Sequence, residues 1–479
     1  MGAKIAEIIQ FIDTVVWGVP LMVAIMGTGI FLTIRLKGLQ VWKLIPALKF
    51  AVSNEKGGEG DVSSFGALCT ALAATIGTGN IVGVATAIAL GGPGALFWMV
   101  VAAFFGMATK YAEGVLAIKY RRIMPAGHIL GGPFCYIEDG MGKKWKPLAQ
   151  AFAVFGALVG AFGIGTATQM NGIATAVQQF ADPDMERTIT VLGNEISIFT
   201  VIAAVVVTAI VGMVIIGGIS RIAKVTEKLI PAMAVLYITI CVAILICNFD
   251  AIPGAITEIF ASAFGLRAAA GGVVGAIMAA MSSGVARGIF SNEAGLGSAP
   301  IAAAAAMTKE PVRQGLVSMT GTFIDTIIVC NLTGLTIMVT GAYKTGLQGA
   351  AMTSWAFSNG LPWMDWMGAF ALMVCLALFA MTTILGWDYY GERCFEYLTD
   401  GNMSMVKAYR VVYLIVLFVG PFLALDIVWC VADILNALMA IPNLIALLAL
   451  SGIVVAETKS FLKREKEGTL YQQEGKMFK

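Results

Sequence analysis

Long apolar runs, separated by short polar loops, recur along the whole chain. A helix needs about 20 apolar residues to cross the hydrocarbon core of a bilayer, and continuous runs differ from the alternating pattern of a membrane β-barrel. The pattern therefore predicts an all-α membrane protein with about eleven transmembrane helices and no separate soluble domain. The predicted spans are 12–34, 64–90, 94–118, 148–178, 197–217, 229–248, 270–304, 314–341, 363–390, 405–424 and 427–457.

Composition supports this class and excludes others. Of the 479 residues, 58% are hydrophobic and 13% are charged, whereas soluble domains carry about 25% charged residues. The net charge of +2 leaves no basic footprint for a nucleic acid. The only histidine, His128, falls in a predicted loop, so a buried Ser–His dyad is excluded. We therefore expect a membrane protein that is not an enzyme, carries no cofactor and does not bind nucleic acid.

Lysine and arginine in the loops set the predicted orientation. With the amino terminus outside, 25 of the 31 basic residues fall in inner segments and 4 in outer ones, while Lys110 and Arg287 lie within spans. This asymmetry predicts a multi-pass protein of the cell membrane, with its amino terminus outside and its carboxyl terminus in the cytoplasm.

Two of the predicted helices are interrupted by glycine and polar residues. The second span contains Gly77, Thr78, Gly79 and Asn80 in succession, and the seventh contains a stretch rich in Gly, Ser and charge over 282–300. Glycine is a poor helix former, and an unwound backbone within a bilayer is tolerated only where it faces protein, ligand or ion. A close contact between helices at small residues is the alternative for the first interruption.

The positions of the interruptions, which begin at 77 and 282, indicate an internal repeat. If the first span is set aside, the other ten form two groups of five, and each group begins with an interrupted helix. Because five is odd, the groups have opposite topology, which predicts a 5+5 inverted repeat. The predicted divisions are 1–60 (an extra amino-terminal helix and a cytoplasmic linker), 61–250 (first repeat), 251–457 (second repeat) and 458–479 (cytoplasmic tail).

Broken helices at corresponding positions of inverted halves indicate a transporter site. Free N–H groups at the amino end of a half-helix attract an anion such as a carboxylate. Freed carbonyls and the carboxyl end of a half-helix offer oxygen ligands to a small cation. An amino acid together with Na⁺ is the ligand pair that suits one such break.

The run Gly91-Gly92-Pro93-Gly94-Ala95-Leu96-Phe97-Trp98-Met99 resembles the signature of the alanine or glycine:cation symporters, also called the sodium:alanine symporter family. It departs from that signature at Val100, where the family usually has a second tryptophan. Further runs that resemble the family lie at 71–83, 290–306, 318–325, 385–392 and 440–443, so the resemblance covers nearly the whole chain. It implies the LeuT-like fold of the amino acid–polyamine–cation superfamily, and alanine or glycine as substrate.

The resemblance also implies roles around the first break. The amides of Thr78 and Gly79, which follow Gly77, are expected to hold the substrate carboxylate. The carbonyls of Ala73 and Ile76 are expected to bind Na⁺. No role as a cofactor site is implied for any of them.

Side chains of other helices complete the predicted site. The resemblance further implies that Thr382 and Thr383 bind Na⁺ across from the break, although such hydroxyls also commonly bond back to their own helix. Trp387, one turn after Thr383, is expected to limit the space for the substrate side chain or, alternatively, to anchor its helix at the membrane interface. Phe162 and Gln169, placed on one helix face, are expected to line the cavity, with Gln169 contacting the substrate.

Buried polar and charged residues leave more alternatives open. An amide in hydrocarbon is costly unless paired, so Asn80 either contacts the substrate or ion or joins two helices. Arg287 and Glu293 are expected to form a structural or gating ion pair, or to bind the ligand. Asp325 lies inside a span, where carboxylates are functional by default, with pairing to Arg287 as the alternative.

These features predict a sodium-coupled symporter that imports a small neutral amino acid, alanine and/or glycine, by alternating access. Its partners are then the amino acid, Na⁺ as the coupling ion, and membrane lipid. The alternative is a proton-coupled carrier or exchanger of the same fold, for glutamine or serine, with Asp325 or Glu293 as the proton relay.

Overall fold

The computed structural model describes residues 9, 11–12, 15–53, 55, 58–125, 127–191, 194–266, 272–423 and 425–469. Its helices are α1 (Val19–Arg35), α2 (Leu39–Trp42), α3 (Leu44–Val52), α4 (Ser64–Thr75), α5 (Val84–Gly91), α6 (Gly94–Lys119), α7 (Pro133–Cys135), α8 (Lys146–Phe162), α9 (Ala167–Ala181), α10 (Ile198–Ile215), α11 (Gly218–Cys247), α12 (Ile252–Ala263), α13 (Val273–Asn292), α14 (Ala299–Ala304), α15 (Pro311–Thr322), α16 (Asn331–Val339), α17 (Gly349–Gly360), α18 (Asp365–Leu398), α19 (Met403–Val419) and α20 (Leu425–Lys466).

Shorter elements join these helices. The π-helical segments are Gly79–Gly83, Tyr136–Gly140 and Phe323–Cys330, and the 3₁₀ turns are Lys143–Trp145, Phe249–Ala251, Ala342–Lys344 and Gly420–Phe422. Two antiparallel hairpins lie in loops: β1 (Arg122–Ile123) pairs with β2 (Ile129–Leu130), and β3 (Thr188–Val191) pairs with β4 (Asn194–Ser197).

Every predicted span overlaps one of these helices or a successive pair, and several of the helices extend beyond the predicted bounds. In the described ranges, nine helical stretches are long and apolar enough to cross a membrane, and α4 with the helix after its break makes a tenth. The first predicted span holds the shorter α1, of 17 residues. The prediction of an all-α membrane protein is thus confirmed.

The spans after α1 form two groups of five that run in opposite directions. The first group is α4/α5, α6, α8/α9, α10 and α11, and the second is α13/α14, α15/α16, α18, α19 and α20. Each group opens with a broken helix, and the short helices α7 and α17 occupy the same place in the two groups. This arrangement is the inverted repeat that the sequence predicts.

One side of the molecule, which we call the basic side, is formed by residues 36–53, 55, 58–63, 120–125, 127–146, 305–310, 399–402 and the end of α20. Arg121 joins three of these segments. Its guanidinium donates to the carbonyl oxygens of Glu59, Ala304 and Thr308 at 2.7, 2.9 and 2.8 Å. Several loops are therefore tied to one another by a single side chain. The opposite side is called the vestibule side below.

The carboxyl-terminal part of α20 also packs on the basic side. Lys43 pairs with Glu465 at 2.6 Å, and Arg464 pairs with Glu310 at 2.8 Å. The predicted tail from 458 onward thus begins as packed helix up to Lys466, and its part from 470 to 479 lies outside the described residues.

The first predicted break is present. Ser63 caps the start of α4 by accepting from the Gly66 N–H at 2.8 Å, and the helix ends at Thr75 because Ile76 is extended, with φ −77° and ψ 93°. The helix axis bends by 51° between Ser64–Thr75 and Gly79–Gly91. The two halves therefore leave backbone groups of residues 76–78 without the usual helical partners.

The second break lies later than the sequence predicts. Residues 282–292 continue α13 as an unbroken helix, and the helix ends at Glu293, which has φ 56°. Gly295 and Gly297 follow with φ 91° and 83°, values that favour glycine. The prediction of an interruption from 282 is wrong, because the glycines there serve helix packing rather than a turn.

Two of the helical glycines show this packing role. A Cβ at Gly284 would overlap the Ala95 carbonyl oxygen of α6. A Cβ at Gly386 of α18 would lie 2.7 Å from the Ala74 backbone nitrogen of α4. Contacts this short are not tolerated by a real Cβ, so only glycine lets α18 approach the first broken helix this closely.

Candidate functional site

Side-chain oxygens cover two N–H groups at the first break. The Gly77 N–H donates to Asn80 Oδ1 at 2.8 Å, and the Thr78 N–H donates to Gln169 Oε1 of α9 at 3.2 Å. Thr78, Asn80 and Gln169 are each at most 1% exposed. A carboxylate oxygen can accept a hydrogen bond from the same N–H groups that these amide oxygens now cap. The break therefore offers two donors to an anionic group.

Gly79 lies on the other side of the break and faces the second broken helix. It opens a π segment, and a Cβ there would lie 3.2 Å from Ser291 Cα of α13. The structure thus places Gly77, Thr78, Gly79 and Asn80 together between α9 and α13.

The carbonyl side of the break faces α18. Thr383 donates from its hydroxyl to the Ile76 carbonyl oxygen at 3.3 Å and to its own helix, at Phe379 O, at 3.1 Å. Ala73 lies one turn earlier in α4 and is fully buried. A freed carbonyl and a hydroxyl of a facing helix are both neutral oxygen ligands of the kind that bind small cations.

The neighbouring Thr382 points elsewhere. Its hydroxyl donates to Phe379 O at 2.9 Å and to Met233 Sδ of α11 at 3.6 Å. Successive residues of a helix are turned by about 100° from each other, so the two hydroxyls do not face the break together. The structure brings Thr383, and not Thr382, to the predicted cation ligands.

Asp325 joins the two broken helices. Its Oδ1 accepts from Asn80 Nδ2 at 2.7 Å, and its Oδ2 accepts from the hydroxyls of Ser291 at 2.9 Å and Thr326 at 2.7 Å. Asn80 follows the first break and Ser291 precedes the second. A fully buried carboxylate with three donors is thereby stabilised inside the protein.

Two of the π-helical segments supply this link. Asn80 lies in Gly79–Gly83 and Asp325 lies in Phe323–Cys330. A π turn widens the helix and re-aims the side chains near it, and such turns are frequent at functional sites. The two polar side chains therefore meet across helices where regular α-helices would rotate them.

The second break holds a different carboxylate. Glu293 Oε1 accepts from the indole N–H of Trp387 at 2.9 Å, and its Oε2 accepts from the Ser298 hydroxyl at 2.5 Å. Both Glu293 and Trp387 are fully buried. Trp387 is therefore not an interfacial anchor, which corrects one of the two alternatives for this residue.

Asn443 of α20 caps the buried backbone of the second break. Its Nδ2 donates to the Gly295 carbonyl at 2.9 Å and to Glu113 Oε1 of α6 at 2.7 Å, while the Tyr136 hydroxyl donates to its Oδ1. A carbonyl freed by the break is thus satisfied by a side chain.

Lys110 is a buried cation close to these groups. Its side chain does not reach the basic side, because the residue is 3% exposed. It interacts electrostatically with Glu113, Glu293 and Asp325. Three buried carboxylates therefore share one lysine as a counter-charge.

Phe162 does not line the site. The residue is 44% exposed, and α8 ends there, before α9 begins at Ala167. The expectation that Phe162 and Gln169 share a face assumed a continuous helix, which the turn at residues 163–166 interrupts.

A cavity of about 500 Å³ leads from the vestibule side to Thr78. Its walls come from α9, α13, α17 and the start of α20. Arg287 and Asp433 stand in it and pair at 3.3 Å, and the Arg287 guanidinium lies 5.6 Å from the ring centres of Phe290 and Trp429. We call this cavity the vestibule.

Arg287 therefore forms neither of the two ion pairs expected from the sequence, with Glu293 or with Asp325. The structure joins Arg287 to Asp433, because Arg287 faces the vestibule, whereas Asp325 and Glu293 face the protein interior. A pairing of Arg287 with Asp325 or with Glu293 is not present.

Two residues of the site escape sequence reasoning. Ser291 and Thr326 are ordinary polar residues in apolar spans, and only the fold shows that they meet Asp325. Within the described ranges, no cluster of three or more His, Cys, Asp or Glu could hold a metal ion.

Comparison with known proteins identifies a family and a fold. The family model described as the sodium:alanine symporter family matches residues 2–475. An uncharacterized transporter of Haemophilus influenzae is 52% identical over 464 residues, which cover 96% of this chain and 97% of that protein. The sodium/alanine symporter AgcS of Methanococcus maripaludis is 49% identical over 463 residues, which cover 95% and 97%. The structure of MhsT in complex with L-phenylalanine superposes with a TM-score of 0.60 at 13% identity, over 84% of this chain and 93% of that one, which shows the shared LeuT-like fold.

Proposed function

Because this chain belongs to the sodium:alanine symporter family, a family of membrane transporters and not of enzymes, we propose that it imports a small neutral amino acid together with Na⁺. Alanine and glycine are the proposed substrates, and alternating access is the proposed mechanism. The similarity to the sodium/alanine symporter AgcS supports the choice of alanine.

One observation carries the proposal: two N–H donors at an intramembrane break are capped by side-chain oxygens, at the floor of an open vestibule. The substrate carboxylate would take the place of Gln169 Oε1 on Thr78 and extend toward Gly77. Gln169, once released, would offer its amide to the ammonium or carboxylate of the same amino acid.

The cation would bind beside the substrate, between α4 and α18. The Ile76 carbonyl and the Thr383 hydroxyl, 3.3 Å apart, supply two ligands, and the Ala73 carbonyl is proposed as a third. All are neutral, so the bound Na⁺ keeps its charge. With one Na⁺ and a zwitterionic amino acid, each cycle moves one positive charge inward, worth about 2.3 kcal/mol per 100 mV of membrane potential.

The Arg287–Asp433 pair is the proposed gate on the vestibule side. The two residues belong to α13 and α20, on opposite walls of the vestibule, and make a single contact at 3.3 Å. A stronger contact between them would narrow the cavity above Thr78. Asp325 and Glu293, which are held by buried donors, would keep the halves of the broken helices in place during that movement.

Orientation and repeat boundaries are part of the same proposal. The loops rich in Lys and Arg collect on the basic side, which we place in the cytoplasm of the cell. The amino terminus is then outside and the carboxyl terminus inside. The proposed repeats are 61–250 and 251–457, because each encloses one group of five spans.

Uptake by purified protein in liposomes tests the proposal. We expect accumulation of radiolabelled alanine with an inward sodium gradient, faster when the interior is negative, and displaced by glycine. Equal uptake in sodium and choline buffers, without a pH gradient, would contradict sodium coupling while leaving amino-acid transport in place.

A further inference from the structure

Asp388, on α18, is a buried carboxylate that no step above uses. The residue is fully buried, and neither of its carboxylate oxygens receives a hydrogen bond from an N–H or O–H donor of the described residues. The contrast with Asp325 is sharp, because Asp325 receives three hydrogen bonds. An ionised carboxylate without donors is very costly to bury, whereas a carboxylic acid is not.

Two tyrosine hydroxyls of α19 that could donate to Asp388 are engaged elsewhere. Tyr409 and Tyr413 both interact electrostatically with Asp388. Tyr409 donates to the Ala157 carbonyl at 2.8 Å, and Tyr413 donates to the carbonyls of Gly165 and Ile384 at 2.8 and 2.6 Å. Both hydroxyls thus serve backbone oxygens.

Glu392 lies one turn after Asp388 on the same helix face. Among the charged neighbours of Asp388, it has the largest electrostatic effect. Glu392 is held by Arg410 of α19, whose Nε and Nη2 donate to its two oxygens, the latter at 2.9 Å. Arg393 approaches Glu392 at 3.7 Å and binds Glu396 at 2.5 Å. Both guanidiniums are therefore committed to the other two carboxylates.

The carboxylates around Asp388 outnumber the guanidiniums by one. Asp388, Glu392 and Glu396 are three carboxylates, and Arg393 and Arg410 are two guanidiniums. His128 contacts Glu396 at 2.5 Å from the basic side, where it is partly exposed. A proton on Asp388 supplies the missing charge within the buried part of the contact.

The other helices packed against α18 bring few groups that could titrate near Asp388 or compensate its charge. The charged or titratable residues on elements packed against α18 are, besides those above, exposed Lys407 of α19, Cys69 of α4, Lys146 of α8, and Arg221, Lys224, Glu227, Lys228, Tyr237, Cys241 and Cys247 of α11. Arg221 donates to the Met213 carbonyl, and Glu227 accepts from Ser63. The helices α9, α10, α14 and α17 bring none.

We propose that Asp388 and Glu392 form a proton-binding site, in which Asp388 carries the proton and Glu392, held by Arg410, accepts its hydrogen bond. When the contact between α18 and α19 loosens and water enters, the proton passes to water and Asp388 becomes a carboxylate near Arg410. The ligand of the site is H⁺ itself, and no other reactant is needed.

Asp388 directly follows Trp387 and lies about one and a half turns beyond Thr383 on the same helix. Movement of α18 would therefore change the cation ligand at the first break and the hydration of Asp388 together. This linkage to transport rests on the proposed function, whereas the protonation of Asp388 does not.

Infrared difference spectroscopy of the purified full chain tests the proton. The parent protein should show a carboxylic-acid carbonyl band that shifts in D₂O, and Asp388→Asn and Asp388→Ala should each lose intensity equal to one such group. Glu310→Gln is the matched control, because Glu310 accepts two hydrogen bonds from the Arg464 guanidinium and its replacement should leave the band unchanged. An unchanged band in both Asp388 variants would overturn the proposal.

The pH dependence of sodium-driven alanine uptake tests the linkage. Proton linkage at a single site changes an apparent affinity by up to about tenfold per pH unit, and Asp388→Asn should flatten this dependence while Glu310→Gln keeps it. A steep dependence that persists in Asp388→Asn would overturn the linkage. If the parent shows no alanine uptake, the proposed function fails, and the infrared result still decides whether Asp388 binds a proton.

Discussion

Thr383 and Thr382 are adjacent and chemically identical, yet only one of them faces the first break. Thr383 reaches the Ile76 carbonyl, and Thr382 reaches Met233 of another helix. The sequence shows the pair but not the rotation of the helix that separates them. The role of each hydroxyl is therefore settled by where α18 is held against α4.

Thr383→Val should raise the sodium concentration for half-maximal alanine uptake about tenfold, the equivalent of about 1.4 kcal/mol. Valine keeps the shape of threonine but removes an oxygen ligand, and weaker ion binding also weakens alanine binding by linkage. Thr382→Val is the control and should resemble the parent in sodium titrations of uptake. Similar sodium dependence in both variants would show that Thr383 does not bind the ion.

Trp387→Phe should lower the free energy of unfolding by about 1–3 kcal/mol, because buried Glu293 loses its indole donor. Thermal unfolding of the purified protein measures the change. Trp366→Phe is the control on the same helix, since Trp366 is 56% exposed and should tolerate the change. Equal stability of the two variants would mean that the Glu293 contact contributes nothing.

Trp387→Leu removes bulk as well as the N–H group. If Trp387 limits the space for the substrate side chain, this variant should weaken alanine uptake and admit leucine, methionine or glutamine, whereas Trp387→Phe should not. Competition uptake with a panel of amino acids, normalised to folded protein, measures the selectivity. A uniform fall with an unchanged order of substrates would leave Trp387 as packing alone.

Secondary-structure elements are predictable from the sequence where local composition determines them. Apolar length reveals each span, and the glycines at 77 and 79 reveal the first break. The sequence pattern predicts the second break too early in the chain, because Gly284 and Gly288 resemble helix breakers. The φ angles show that Gly295 and Gly297 turn the chain instead. The π segments that carry Asn80 and Asp325 left no pattern in the sequence, since their widening depends on the helices around them.

Gly386→Ala should separate α18 from α4 and impair sodium-dependent uptake, because its Cβ would lie 2.7 Å from the Ala74 nitrogen. Backbone cannot yield as a flexible side chain can, so the helix must shift. Gly452→Ala in α20 is the control, since a Cβ there meets nothing within 4 Å and alanine favours a helix. Uptake kinetics of both variants, compared with thermal stability, separate a local shift from general misfolding. Parent-like sodium dependence in Gly386→Ala would refute the close contact.

The molecule as a whole is open on the vestibule side and closed on the basic side. The vestibule reaches Thr78, while charged contacts such as Arg121 with the loop carbonyls hold the opposite side together. Alternating access requires that these two conditions exchange. The two cysteines on the vestibule side, Cys430 in the vestibule wall and exposed Cys247 at the end of α11, report on that exchange.

A membrane-impermeant maleimide applied to whole cells should modify both Cys430 and Cys247, because the proposed orientation places the vestibule outside. Addition of sodium and alanine together should slow the modification of Cys430 and leave Cys247 unchanged, since only the first lies within the closing cavity. Mass spectrometry of the labelled protein reads both sites in one sample. Labelling of neither cysteine from outside would contradict the orientation, and equal protection of both would contradict closure of the vestibule.

The hydrogen bonds of Asp325 make the two broken helices dependent on each other during evolution. A mutation at Asn80 changes the environment of the carboxylate that also holds Ser291, so its cost depends on the residue at the other break. Neighbouring positions with a common partner do not show additive effects. The repeats of this chain can therefore diverge freely in their lipid-facing helices, whereas at the breaks a substitution in one repeat restricts what the other repeat can accept.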